Sequence, residues 1–83
     1  MKVQVRYLAS IREAIGQGSE PVQTQAATVG ALRDELIARG GAHADSLARG
    51  KAVRAALNQA MCDDTAALVD GCEVAFFPPV TGG

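Results

Sequence analysis

A chain of 83 residues with 48% hydrophobic and 20% charged side chains has the balance of one small folded domain, not of a disordered segment. Eight Lys and Arg are set against nine Asp and Glu, and the basic residues are scattered from Lys2 to Arg54 without a run, so the footprint of a nucleic-acid or anionic-membrane binder is missing. No apolar stretch approaches the roughly 20 residues of a membrane span, and "MKVQVRYL" alternates where a signal peptide would be continuously apolar, so a cytoplasmic protein is expected.

"KVQVRYLA" puts Val3, Val5 and Tyr7 on one face and Gln4 and Arg6 on the other, the two-residue period of a half-buried strand. Ser10 is a candidate cap for a short helix through Ile15, with Ile11, Ala14 and Ile15 on its apolar side and Gly16 as its stop. "EPVQTQ" alternates again, and Pro21 near its start suits an edge strand, where a missing N–H does least harm. Thr28 is a plausible cap for the longest helix, in which Val29, Leu32, Leu36 and Ile37 follow the helical period until Gly40 and Gly41. Arg33, Asp34, Glu35 and Arg39 are expected in water.

"AHADSLARG" reads as a helical turn or a loop. "KAVRAALN" then alternates Val53, Ala55 and Leu57 inward, Asn58 and Gln59 make a turn, and "AMC" returns as a short strand. After the turn dipeptide Asp70–Gly71, "CEVAFF" forms the last strand and runs into a double proline. The pattern predicts an α+β roll, a mixed sheet packed on one main helix plus a short one. Its domain boundary falls between a globular body, 1–77, and an extended tail, 78–83.

Cys62 and Cys72 lack the spacing of a CxxC pair, and with His43 as the single histidine they make no zinc pattern; reduced, structural thiols are expected and no metal. The ending "FFPPVTGG" is more informative. Alternation places Cys72, Val74 and Phe76 toward the core and Glu73, Ala75 and Phe77 toward water, so Phe77 either meets a partner or folds back over the sheet edge. Pro78 and Pro79 enforce an extended departure with little entropy left to lose. The six residues Pro78, Pro79, Val80, Thr81, Gly82 and Gly83 reach about 20 Å, and the side-chain-free pair at the end suits a narrow channel.

What arrives at the end of such a channel is the Gly83 carboxylate. A carboxylate is a poor electrophile and must be activated, most simply as an acyl-adenylate. The chain has no Walker-type phosphate loop and no nucleophile spaced to a base, so another enzyme must do this. Two glycines would end a chain by chance about once in two hundred. The pair is therefore a modest signal alone and a strong one after an apolar strand and a double proline.

"DGCEVAFFPPVTGG", with "IREAIG", "TVGALRDEL" and "ALNQ" in order before it, resembles the family of molybdopterin synthase small subunits, which are ubiquitin-like sulfur carriers. The resemblance spans nearly the whole chain, with little signal in "RGGAHADSLARG". It implies a β-grasp fold and a carrier cycle. Gly83 would be adenylated with ATP by a ubiquitin-activating-type enzyme and converted to a thiocarboxylate. It would then be inserted into the large synthase subunit of a heterotetramer, giving sulfur to cyclic pyranopterin monophosphate. No bound cofactor is implied, and the chain alone would be non-catalytic.

By position, Gly82 and Gly83 match the family's terminal pair and Phe77 an aromatic that packs on partners. Met61 falls at a partner contact or else fills the core, and Arg12 contributes a polar contact or lies on a solvated helix face. Carriers for thiamine or cysteine biosynthesis use the same fold and chemistry, and a ubiquitin-like modifier would also keep Gly-Gly; the wording of the tail favours the molybdopterin branch.

Overall fold

The computed structural model describes residues 1–79. Chain order is β1 (Lys2–Tyr7), α1 (Ala9–Ile15), β2 (Ser19–Gln23), α2 (Val29–Ile37), α3 (Gly41–Leu47), β3 (Arg54–Leu57), β4 (Ala60–Cys62) and β5 (Glu73–Phe77). The strands form one mixed sheet in the order β2-β1-β5-β3-β4. Its centre is the parallel pair β1 and β5, flanked by antiparallel neighbours. This is the β-grasp arrangement, and among the described residues no helix is long and apolar enough to cross a membrane.

Val3, Val5 and Tyr7 of β1 are buried and alternate with exposed Lys2, Gln4 and Arg6, as a strand with one covered face must. They join Val22, Val74 and Phe76 under the helices, where Ile11, Leu32, Leu36 and Leu47 close the core. Pro21 sits in the edge strand β2, paired on one side only. Asn58 and Gln59 both have positive φ, 50° and 71°, so the β3–β4 connection is a two-residue turn of the type whose twist matches a hairpin. Asn58 is tied further: its backbone N–H donates to Glu73 O, and its side-chain oxygen accepts from Glu73 N.

The caps divide into one match and one correction. Thr28 Oγ1 accepts from Ala31 N at 3.2 Å and opens α2 as expected. Helix α1 is not capped by Ser10. Leu8 takes the N-cap position because its N–H donates to Phe76 O, extending the β1–β5 pairing by one residue, so the helix starts at Ala9 and Ser10 lies inside it. Gly16, at φ 88°, closes α1. Ala14 is exposed.

Two further expectations change. The segment after Gly40 is a full helix, α3, so three helices rather than two cover the sheet. Arg33 is not in water: it is 6% exposed and sits under α3. Its Nε donates to Leu47 O at 2.7 Å and its Nη2 to Ala48 O at 2.8 Å and Lys51 O at 3.3 Å. A guanidinium has five donors in a fixed fork, and here it satisfies the carbonyls of an irregular stretch that has no ladder of its own. Arg39 and Asp34 stay near the surface, paired with Glu20 and Arg49.

Candidate functional site

Strand β5 ends on two aromatics that part company. Phe76 points under the helices and is buried, while Phe77 points to the sheet face that no helix covers and is half-buried. The alternation continues into the double proline. Pro78 lines a cavity of about 280 Å³ on the helix side with Ile11, Ala14, Lys51 and Val53, and Pro79 lies on the open side beside Phe77. Val80, Thr81, Gly82 and Gly83 lie outside the described residues.

Register brings the other members to Phe77. Arg54 pairs with Phe77, Ala56 with Ala75, and Met61 with Ala56, so all share the open face. Phe77, Met61, Arg54 and Pro79 line a shallow hollow of about 240 Å³. Met61 is 58% exposed, so it does not fill the core. Ala75 and Ala56 are buried between these larger neighbours and form a low strip across the face.

Leu8 was not singled out by sequence. It is 36% exposed and follows Tyr7, which pairs with Phe76; its extended backbone therefore turns it to the open face beside Phe77. An apolar residue at the outward position of a strand was the available signal. Arg54 was missed for a different reason, because its place opposite Phe77 depends on a register that spacing does not give. Arg12 is not part of this group. It lies on α1 over Gly18, beside Glu13 and Gln17, in a separate concavity.

Neither cysteine lines the Phe77 hollow. Cys72 is buried and Cys62 lines the helix-side concavity of about 570 Å³ with Arg33, Ala55 and Asp64. Burial first, then the charges of Asp63 and Asp64, push the Cys62 thiol up, which disfavours the nucleophilic thiolate. The charged cluster around Glu20 is structural in position: Glu20 receives Tyr7 OH at 2.7 Å and Arg39 Nη1 at 2.8 Å, with His43 Nε2 at 3.0 Å. Burial alone would raise the Glu20 carboxyl, but hydrogen bonds from Arg39, Tyr7 and His43 outweigh it and hold the group down at about 2. Among the described residues the arrangement offers no acid–base pair aimed at a cleft; what it offers is an exposed apolar patch at the root of the C-terminal segment.

Comparison with known proteins gives this geometry a context. The chain matches the ThiS family over residues 5–83. It is 42% identical over 98% of its length, and 99% of the relative's, to the molybdopterin synthase sulfur carrier subunit of Escherichia coli. Among solved structures, SAMP1 from Haloferax volcanii superposes with a TM-score of 0.78 at 26% identity, covering all of both chains. A chain in the complex of subunits 1 and 2 of the molybdopterin-converting factor from Helicobacter pylori superposes with a TM-score of 0.70 at 26% identity, again over both whole chains.

Proposed function

The chain belongs to the ThiS family, and on that premise we propose that it is the sulfur carrier of a molybdopterin synthase, with the Gly83 carboxylate as its working group. The observation that carries this reading is the whole-chain likeness to a molybdopterin synthase sulfur carrier subunit, together with a family match that runs through residue 83. In the cycle, the Gly83 carboxylate attacks ATP on an adenylating enzyme of the ubiquitin-activating type and releases pyrophosphate. Sulfide then displaces AMP and leaves a terminal thiocarboxylate; a persulfide donor instead forms an acyl disulfide with loss of AMP, and a thiol attacks the donor's sulfur to release the thiocarboxylate, the donor leaving as a disulfide. That sulfur passes to cyclic pyranopterin monophosphate in the large synthase subunit, and two transfers complete one dithiolene.

The position of the apolar patch at the root of the tail supports a division of labour. Phe77, with Met61 and Leu8, docks the open sheet face on the large subunit of a heterotetramer. Pro78 and Pro79 direct Val80, Thr81, Gly82 and Gly83 into its active site. Arg12, on a separate surface, adds a polar contact at the edge of the complex. The cycle runs in the cytoplasm and needs no resident cofactor. A carrier needs no reactive side chain of its own, and the upward push of burial on the Cys62 thiol is compatible with that.

Incubation with the adenylating enzyme, ATP and a sulfur donor should raise the intact mass by the exchange of one oxygen for one sulfur. An unchanged mass, under conditions that charge a related carrier, would overturn the reading. The likeness to SAMP1 keeps a modifier role as the second reading. Covalent adducts on lysines, surviving denaturation, would favour it; a carrier leaves none.

A further inference from the structure

Charge is distributed unevenly between the two sides of this molecule. The chain has a net charge of −1. Yet the outward strand positions of the open face hold Lys2, Arg6 and Arg54 against Glu73 alone, with uncharged Ser19, Pro21 and Gln23 on β2 and Met61 on β4. Lys2 is at the far end, where Asp70 accepts a hydrogen bond from its backbone. The other two cations border the apolar patch.

The ladder fixes where they stand. One row across the sheet reads Arg6, Ala75, Ala56, Met61, and the row nearer the double proline reads Phe77, Arg54, with Leu8 beside Phe77. Arg6 and Arg54 are thus diagonal across the low alanine strip, about 12 Å apart from the strand spacing and rise. Arg6 is partly answered by Glu73 at 3.9 Å. Arg54 forms no ion pair or hydrogen bond among the described residues; it lines the hollow of Phe77, Met61 and Pro79 and, on its other side, borders the concavity that holds Asp63 and Asp64.

We propose that the open face fits an apolar ridge of the large synthase subunit bordered by two carboxylates, and that Arg54 is the residue that selects for it, with Arg6 as the weaker second. This deepens the docking role proposed above and rests on it. The ridge would lie along the Ala75–Ala56 strip, its side chains held between Phe77 and Met61. A guanidinium at the rim can bind a carboxylate through two parallel N–H donors, and partial exclusion of water on docking strengthens that contact. Before contact, the same charges steer encounter, an effect felt in the association rate and screened by salt.

The test is association of the full chain with its large subunit, followed at low and high salt. The wild-type association rate should fall as salt rises. Arg54→Glu should lower the low-salt rate about tenfold and flatten its salt dependence, Arg54→Gln should do so less, Arg6→Glu less than Arg54→Glu, and Arg54→Lys should retain most of the rate. Gln25→Glu, which changes net charge as much as Arg54→Gln but lies away from the patch, should leave the rate within twofold. Phe77→Ala separates the two levels. If Phe77→Ala binds like wild type, the docking face itself is wrong. If it loses affinity while Arg54→Glu and Arg54→Gln associate at the wild-type rate with the wild-type salt dependence, the docking face stands and the charge selection is wrong.

Discussion

The phenol of Tyr7 donates to Glu20 across the β1–β2 pair, at the point where Arg39 and His43 reach the same carboxylate from the helical layer. One side chain thus fastens the sheet edge to the chain after α2 and to α3. Because the folded Glu20 pKa is depressed from 4.5 to about 2, its stabilisation is fully present above the unfolded value and is lost as pH falls through the folded one. Stability should therefore decline from about pH 4.5 toward pH 2, by on the order of 2 kcal/mol from this group after discounting for solvent. Denaturant unfolding across that range should show a shallower acid limb for Glu20→Gln than for wild type. Identical limbs would remove Glu20 from the account.

Arg33→Met should destabilise the fold by about 2–4 kcal/mol, since it leaves the carbonyls of Leu47, Ala48 and Lys51 without the charged donor that now serves all three. Hydrogen exchange should rise first in residues 47–51. Arg33→Lys should recover only part of the loss, because an ammonium has no fork to span the three oxygens. A methionine variant as stable as wild type, with unchanged exchange, would contradict this role.

Gly30→Ala sets helix propensity against packing. In isolation the change favours α2 by about 1 kcal/mol. Here an added Cβ would stand 2.9 Å from Asp64 Cβ and 3.2 Å from Asp64 O, where the loop is held by Gly30 N donating to Asp64 O and Val29 N donating to Ala66 O. The variant is therefore expected to lose about 1–3 kcal/mol. A rise in Tm would show that the loop yields more readily than its bonds imply.

Removing Gly83, or adding one residue after it, should abolish formation of the sulfur-charged species and of molybdopterin while leaving the unfolding midpoint in place. Phe77→Ala should weaken binding to the large subunit by about 2 kcal/mol, the scale of an aromatic anchor. Its effect on stability should be smaller, because Phe77 is only half-buried whereas Phe76 fills the core. Titration calorimetry and thermal unfolding of the same variant separate the two effects.

Much of this fold was legible because its signals are local. The alternation of Val3, Val5 and Tyr7, the cap at Thr28, the turn at Asn58–Gln59 and the split of Phe76 from Phe77 each depend on neighbours a few residues away. What was not legible depends on partners far along the chain. Arg33 looked like a solvated helix residue, and its burial follows from carbonyls 14 to 18 positions later. Ser10 lost the cap to Leu8 because the Leu8 N–H, donating to Phe76 O, holds that corner. Arg54 gained its place only through the register of β3 against β5.

The central pair of the sheet joins the first strand to the last. A β1 edge leaving the ribosome must wait for nearly the whole chain before β5 can lie beside it, and such distant pairing is slow to form. Completion of the sheet is then a late event in synthesis. A chain cut short anywhere before β5 lacks the middle of its sheet, so it should be open to proteolysis where the whole chain is not.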